Sequence, residues 1–181
     1  MNNILRTICQ KIFGISIFEF PVIRIFRMKM YEYIFNIEKP KYISNHVLLF
    51  CKNGQGLKAD DCIEIKENIG ISAGVRVDYT NGVKIGKNVW LSEGCKIYTS
   101  DFYCSPIEKE MKSGLEIGDY AWIGANAIVL PSVSRIGNNS IIGAGGVVTQ
   151  DIPDNALAVG NPAFVIRLLK EHEMIKEDYK G

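Results

Sequence analysis

The chain has very little histidine. Only His46 and His172 occur among its 181 residues, so a zinc centre held by three imidazoles is excluded and no metal site is expected. The cysteines Cys9, Cys51, Cys62, Cys95 and Cys104 are odd in number and contain no C-x-x-C pair. That argues against both a disulfide framework and a cysteine metal site, and it fits a reducing, cytoplasmic compartment. A formal net charge of +1 gives no global attraction to polyanions, so nucleic acid is not an expected partner. Long hydrophobic runs are also missing. The apolar stretch from Phe13 to Phe20 is too short to span a bilayer, and no small-residue cleavage site follows it.

What the sequence does have is a period of six. Ile117, Ile123, Val129, Ile136, Ile142 and Val148 start successive hexads, with one extra residue before Ile136. The fifth positions, Ala121, Ala127, Val133, Ser140 and Gly146, are small or β-branched. A helix drifts out of such a register and an ordinary amphipathic strand alternates in twos, whereas a parallel β-helix repeats in this way. Each hexad supplies one short strand and one corner, and three hexads return the chain about 4.8 Å higher. The expected fold is therefore mainly β, with aliphatic residues stacked inside a three-sided prism. Glycine in second position is read as relieving strain at the corner.

Upstream, Cys51, Leu57, Ile63, Ile69 and Val75 keep the spacing of six, which slips at 79–83 and resumes at Ile85, Leu91 and Ile97. It breaks between 98 and 116, an excursion from the prism. The β-helix is assigned to 45–160. Residues 1–44 form an N-terminal segment of one or two helices divided near Pro21, either capping the open first coil or, being basic and apolar, lying on a membrane surface. Residues 161–181 are assigned to a C-terminal helix and tail. Asn161 and Pro162 are a plausible start, and Phe164, Val165, Leu168, Leu169 and Ile175 recur at helical spacing.

The run I-G-A-G-G-V-V-T-Q-D-I-P-D-N-A-L-A-V-G-N-P-A-F-V-I-R, from Ile142 to Arg167, resembles the closing segment of the hexapeptide-repeat acyltransferases, in the galactoside, maltose and polysaccharide O-acetyltransferase branch. With the upstream coils the likeness covers roughly 45–170. The hexads specify only the fold, and the G-N-P-A ending is the more specific piece. The resemblance implies a left-handed parallel β-helix, a homotrimer, and acetyl-CoA as donor substrate in the groove between subunits. It places Trp122 near the pantetheine end and Thr149, Pro162 and Arg167 toward the nucleotide. Gly124, Ala125, Gly143, Ala144, Gly145 and Gly146 would let the thin pantetheine arm approach the backbone.

The excursion carries the main departure from that family. The polysaccharide branch resembles S-H-D-Y-x-S-P there, and the histidine takes the proton of the attacking sugar hydroxyl. Here the chain reads Ser100, Asp101, Phe102, Tyr103, Cys104, Ser105, Pro106, with Asp101 in the place of the histidine. An unperturbed aspartate has a pKa near 3.9 and is poorly matched to an alcohol, against about 6.5 for imidazole. Four readings stay open: Asp101 as base or orienting group in transfer to a hydroxyl, Asp101 serving transfer to an amine, a fold that has lost activity, and Asp101 as a solvated loop carboxylate. His46, His172 and Asp78 are the further candidates for the base, and an acyl-cysteine at Cys104 ranks below the histidines. The resulting reading is an acetyl-CoA-dependent O-acetyltransferase acting on a sugar or polysaccharide precursor. The alternatives are an N-acetyltransferase acting on an amino sugar nucleotide and a catalytically inactive β-helix scaffold. The acceptor would be a sugar, a sugar nucleotide or a lipid-linked saccharide. The last of these would favour peripheral contact of residues 1–41 with the inner face of the membrane.

Overall fold

A computed structural model describes residues 21–51, 62–100 and 114–173. Short strands wind into a left-handed parallel β-helix with three faces. The first face stacks β1 (Tyr42–Ile43), β4 (Gly70–Ile71), β7 (Trp90–Leu91), β10 (Trp122–Ile123), β13 (Ile141–Ile142), β15 (Ala156–Val159) and β16 (Phe164–Leu168). The second stacks β2 (Leu48–Phe50), β5 (Arg76–Asp78), β8 (Lys96–Ile97), β11 (Ile128–Val129) and β14 (Val147–Val148), and the third β3 (Ile63–Ile65), β6 (Val83–Ile85), β9 (Leu115–Ile117) and β12 (Arg135–Ile136). All pairings are parallel except that of β15 with β16.

The core is three columns of aliphatic side chains. Ile43, Ile71, Leu91, Ile123, Ile142 and Ala158 line one face, Leu49, Val77, Ile97, Val129 and Val148 the next, and Ile65, Ile85, Ile117 and Ile136 the third, all buried. Each Ile, Leu or Val side chain among them contributes about 1.5–3 kcal/mol by leaving water. The pairing corrects the expected register of the first coils. Ile63, Ile69 and Val75 belong to the fifth-position column, and Ile65, Ile71 and Val77 are the column starters, since Ile65 pairs with Ile85 and Val77 with Ile97. Both sets point inward, so the aliphatic pattern alone does not say which leads. The prism also begins earlier than residue 45, because Tyr42 and Ile43 already pair with Gly70 and Ile71.

The corners correct the role given to glycine. At two of the three corners the left-handed residue is the fourth of the hexad, and His46, Gly74, Gly94, Asn126 and Gly145 occupy it between the first and second faces, with φ between 53° and 70°. Asn68, Asn88, Tyr120, Asn139 and Asn155 do the same between the third and first faces. Asparagine tolerates this region better than most side chains. Second-position glycines answer a different need, close stacking of coils: a Cβ on Gly124 would lie 2.5 Å from the Ile142 carbonyl oxygen and 2.6 Å from the Ala144 nitrogen.

A helix, α1 (Pro21–Phe35), covers the first coil. Pro21 suits a first turn, whose N–H groups have no intrahelical acceptor. Arg27, Tyr31, Ile34 and Phe35 form its buried stripe at helical spacing. Arg27 Nε donates to the Ile43 carbonyl at 3.2 Å and the Tyr31 hydroxyl to the Val47 carbonyl at 2.8 Å. Burial pushes the Tyr31 hydroxyl well above its ordinary range, which keeps it a neutral donor. Ile25, Phe26 and Tyr33 face outward. No helix among the described residues is long and apolar enough to cross a membrane.

At the other end the expected C-terminal helix is absent from residues 161–173. Phe164–Leu168 instead forms β16, turned back antiparallel on β15, and a single 3-10 turn follows at Glu171–Glu173. The physical reason is that the last parallel strand leaves an unpaired edge, and a strand satisfies its N–H and C=O groups where a helix would not.

Candidate functional site

Extra residues collect at one edge of the prism, the corner between the second and third faces. Ten residues separate Cys51 from Cys62 and thirteen separate Ser100 from Gly114, and all four of these flanking residues lie at this corner. Between these two segments the intervening coil is also longer, since Val77 and Ile85 are eight residues apart where six suffice at the other two corners. Asp101, Phe102 and Cys104 lie outside the described residues.

The enlarged corner is tied together by hydrogen bonds around Asp78, which is fully buried at the end of β5. Oδ1 accepts from the Thr80 backbone N–H at 3.0 Å and from the Thr80 hydroxyl. Oδ2 accepts from the Ser100 backbone N–H at 3.3 Å and from the Ser100 hydroxyl at 2.5 Å. Alongside, Thr99 Oγ1 donates to the Asp78 carbonyl at 3.0 Å and accepts from the Asn81 N–H at 3.1 Å, while Asn81 Nδ2 donates to the Thr99 carbonyl at 2.7 Å. A buried carboxylate costs several kcal/mol unless such donors replace its water. Asp78 therefore ties the end of β5 to Thr80 in its own coil and to Ser100 in the next.

A second set of expected residues lines the corner between the first and second faces. Gly124 with Ala125, and Gly143 with Ala144 and Gly145, stack in adjacent coils, joined by the Gly145 N–H donating to the Ala125 carbonyl at 2.8 Å. Ala144, Gly145 and Pro162 are exposed. A Cβ at Gly145 would meet nothing within 4 Å, so this edge is open. Trp122, 44% exposed, flanks the column, and its indole N–H donates to the Ser92 hydroxyl at 2.7 Å. Thr149 lies away from this set, just past β14 at the far edge of the second face, with its carbonyl accepting from Ser132 Oγ at 2.8 Å.

Arg167 stands exposed on β16, and its guanidinium is already engaged. Nη1 and Nη2 donate to the two Glu173 oxygens at 2.6 and 2.7 Å, and the Lys170 N–H adds a third bond to Glu173 at 2.8 Å. The fork from Arg167 holds the Glu173 carboxyl down at about 2, with the Lys170 N–H assisting, and the Arg167 pKa is raised by the same bond.

His46 is an exposed corner residue of the first coil, and His172 is exposed in the terminal turn. His46 shares the first-to-second corner whereas Asp78 ends the second face, so the structure does not bring these two candidates together. Thr80, Asn81 and Thr99 were not singled out as site residues from sequence. For Thr80 and Asn81 the signal is the eight-residue step at 77–85, which reads as a turn, and Thr99 has none. Among the described residues no three His, Cys, Asp or Glu side chains cluster to hold a metal.

No family model matches the chain. A putative acetyltransferase of Staphylococcus aureus (strain MRSA252) is 36% identical over 148 residues, which cover 68% of this chain and 74% of that protein. A putative acetyltransferase of Saccharomyces cerevisiae (strain S288c) is 36% identical over 138 residues, 72% of this chain and 65% of the yeast protein. The chain thus spans just under two thirds of the yeast relative. In fold it is similar to galactoside acetyltransferase in complex with coenzyme A, with a TM-score of 0.66 at 22% identity, over 99% of this chain and 90% of the other.

Proposed function

The chain belongs to the hexapeptide-repeat acetyltransferase family, and from that premise we propose that it transfers acetyl from acetyl-CoA to a hydroxyl of a sugar or polysaccharide precursor. The observation that carries the donor half is the open column of small residues beside Trp122, Gly124–Ala125 over Gly143–Gly145. A thin pantetheine arm needs such an edge, because any larger side chain would hold it away from the backbone amides.

In this reading the acceptor oxygen attacks the thioester carbonyl while its proton passes to Asp101. The tetrahedral intermediate collapses with cleavage of the C–S bond, and the sulfur leaves as CoA thiolate, protonated to the thiol. The products are the acetyl ester and CoA. For aspartate to act as base its pKa must rise toward neutrality by desolvation, or the acceptor must be a better acid than an ordinary alcohol. Two copies complete the site in a threefold assembly, one offering the small-residue column and the other its 98–116 excursion.

Calorimetric titration with CoA tests the donor half. Saturable binding at one site per chain is expected, and no binding at millimolar CoA would leave a β-helix scaffold as the reading.

A further inference from the structure

We propose that Arg76 and Lys96 form a subsite for an acceptor that carries a diphosphate; this deepens the function proposed above and rests on it. The two residues are partners on neighbouring strands, Arg76 in β5 beside Lys96 in β8, so their backbones lie about 4.8 Å apart. Both side chains turn outward, Arg76 exposed and Lys96 half-buried. Like charges set side by side repel, yet neither residue is in an ion pair with a carboxylate among the described residues. Asp78, two residues past Arg76, has both oxygens engaged by Thr80 and Ser100. Glu93, three residues before Lys96, is exposed at the corner and bridges to neither cation.

The third face shows how this chain arranges charge that meets only water. There the outward column alternates in sign through Glu64, Lys84, Glu116 and Arg135, with Lys84 3.9 Å from Glu64. The second face does the opposite: Leu48 lies beside Arg76 and Ile128 beside Lys96, and the two cations between them have no acid. Arg76 is also oriented, its guanidinium carbon 5.8 Å from the Phe50 ring centroid, which limits its freedom and leaves its forked donors for an oxyanion. Two adjacent cations suit two adjacent negative charges, and a guanidinium takes phosphate oxygens in pairs. The diphosphate of CoA itself is a poor fit for this place. The column proposed for CoA runs from Gly124 up to the exposed Ala144, Gly145 and Pro162, and a nucleotide at that wide end is three or four coils, roughly 14–19 Å, from the pair. Nor does the first face of a neighbour in the ring supply an acid: cyclic symmetry sets like coils at like heights, where the outward residues are Gly70 and Trp90.

The test titrates the full-length chain, saturated with CoA, with pyrophosphate, UDP-glucose, a short prenyl diphosphate and glucose in a calorimeter. Saturable binding of the three diphosphates at one site per chain is expected, with glucose at least about tenfold weaker and diphosphate affinity falling as salt rises. Arg76→Ala and Lys96→Ala should each weaken pyrophosphate by about three- to tenfold. Arg76→Lys, which keeps the charge but not the fork, recovers part of that loss, and CoA affinity stays within about twofold in every variant. The source of the diphosphate follows from the arm that binds more tightly than pyrophosphate: UDP-glucose assigns a nucleotide sugar, the prenyl diphosphate a lipid-linked one, and parity makes the diphosphate all that the pair reads. No pyrophosphate binding, or binding indifferent to both substitutions, overturns the inference. So does a loss of CoA affinity, which would make the pair part of the donor site, or a ring that falls into single chains, which would make it a contact between copies. Failure of the function reading looks different: the wild type then does not bind CoA, or releases thiol from acetyl-CoA at a rate that no acceptor changes.

Discussion

At the scale of single residues, the pairing of Arg167 with Glu173 changes what the sequence alone would predict for nucleotide binding. A phosphate approaching the guanidinium meets two nitrogens already held by a carboxylate, so it must share or displace Glu173. Arg167→Ala is expected to weaken CoA by about two- to fivefold, the loss usual for one exposed ion pair. Unchanged affinity in the calorimeter would remove Arg167 from the donor site. The acid side of the pair has its own signature. With its folded pKa lowered to about 2 from an ordinary value near 4.3, Glu173 contributes stability that is fully present above that ordinary value. The contribution is lost as pH falls through about 2. A carbon-detected NMR titration should place the Glu173 midpoint near 2, and a midpoint above 4 would mean that the pair does not persist in solution.

Among the elements, the two kinds of corner glycine predict two different mutational outcomes. Gly124→Ala drives a Cβ to 2.5 Å from backbone oxygen, which neither coil can relieve without parting from its neighbour, so a loss of about 1–3 kcal/mol is expected. Gly145→Ala has open space but a φ of +68°, and costs about 1 kcal/mol for left-handed backbone. Thermal melts should rank Gly124→Ala below Gly145→Ala, by roughly 2–4 °C per kcal/mol for a chain of this size; the reverse order would refute the stacking account. The hexads from Ile117 onward were legible because one inward column is consistently Ile or Val while the other is small. In the first coils Ile63 and Ile65, Ile69 and Ile71, Val75 and Val77 are all inward, and the leading column is then ambiguous. The terminal helix was misread for a related reason. Phe164, Val165, Leu168 and Leu169 fit a helical stripe, but only a partner's open edge decides for a strand, and sequence spacing does not show edges. The carboxylate at 78 was visible as a residue, whereas its partners 22 positions away became its neighbours only through the stacking of coils.

For the whole molecule, the three faces differ in what they present. The outward positions of the third face read Glu64, Lys84, Glu116 and Arg135, a charged surface suited to water. In the later coils the outward positions are apolar on the first face, at Trp122, Ile141 and Leu157, and on the second, at Ile128 and Val147, whereas the earlier coils of the second face present Arg76 and Lys96. An apolar patch at that edge fits the closed ring of three copies proposed above, each setting its first face against a neighbour's second. Light scattering should therefore give three times the 20.2 kDa chain mass at micromolar concentration, and a monomer would remove the shared site. The claim that matters most is acetyl transfer itself. Its most direct measurement is the release of free thiol from acetyl-CoA with and without hydroxyl and amino sugars, for the wild type and for Asp101→Asn. The account predicts acceptor-dependent release, greatest with hydroxyl acceptors, that falls by at least about 100-fold in Asp101→Asn, as expected for loss of a general base. Release that no acceptor stimulates, or that Asp101→Asn leaves intact, would contradict it.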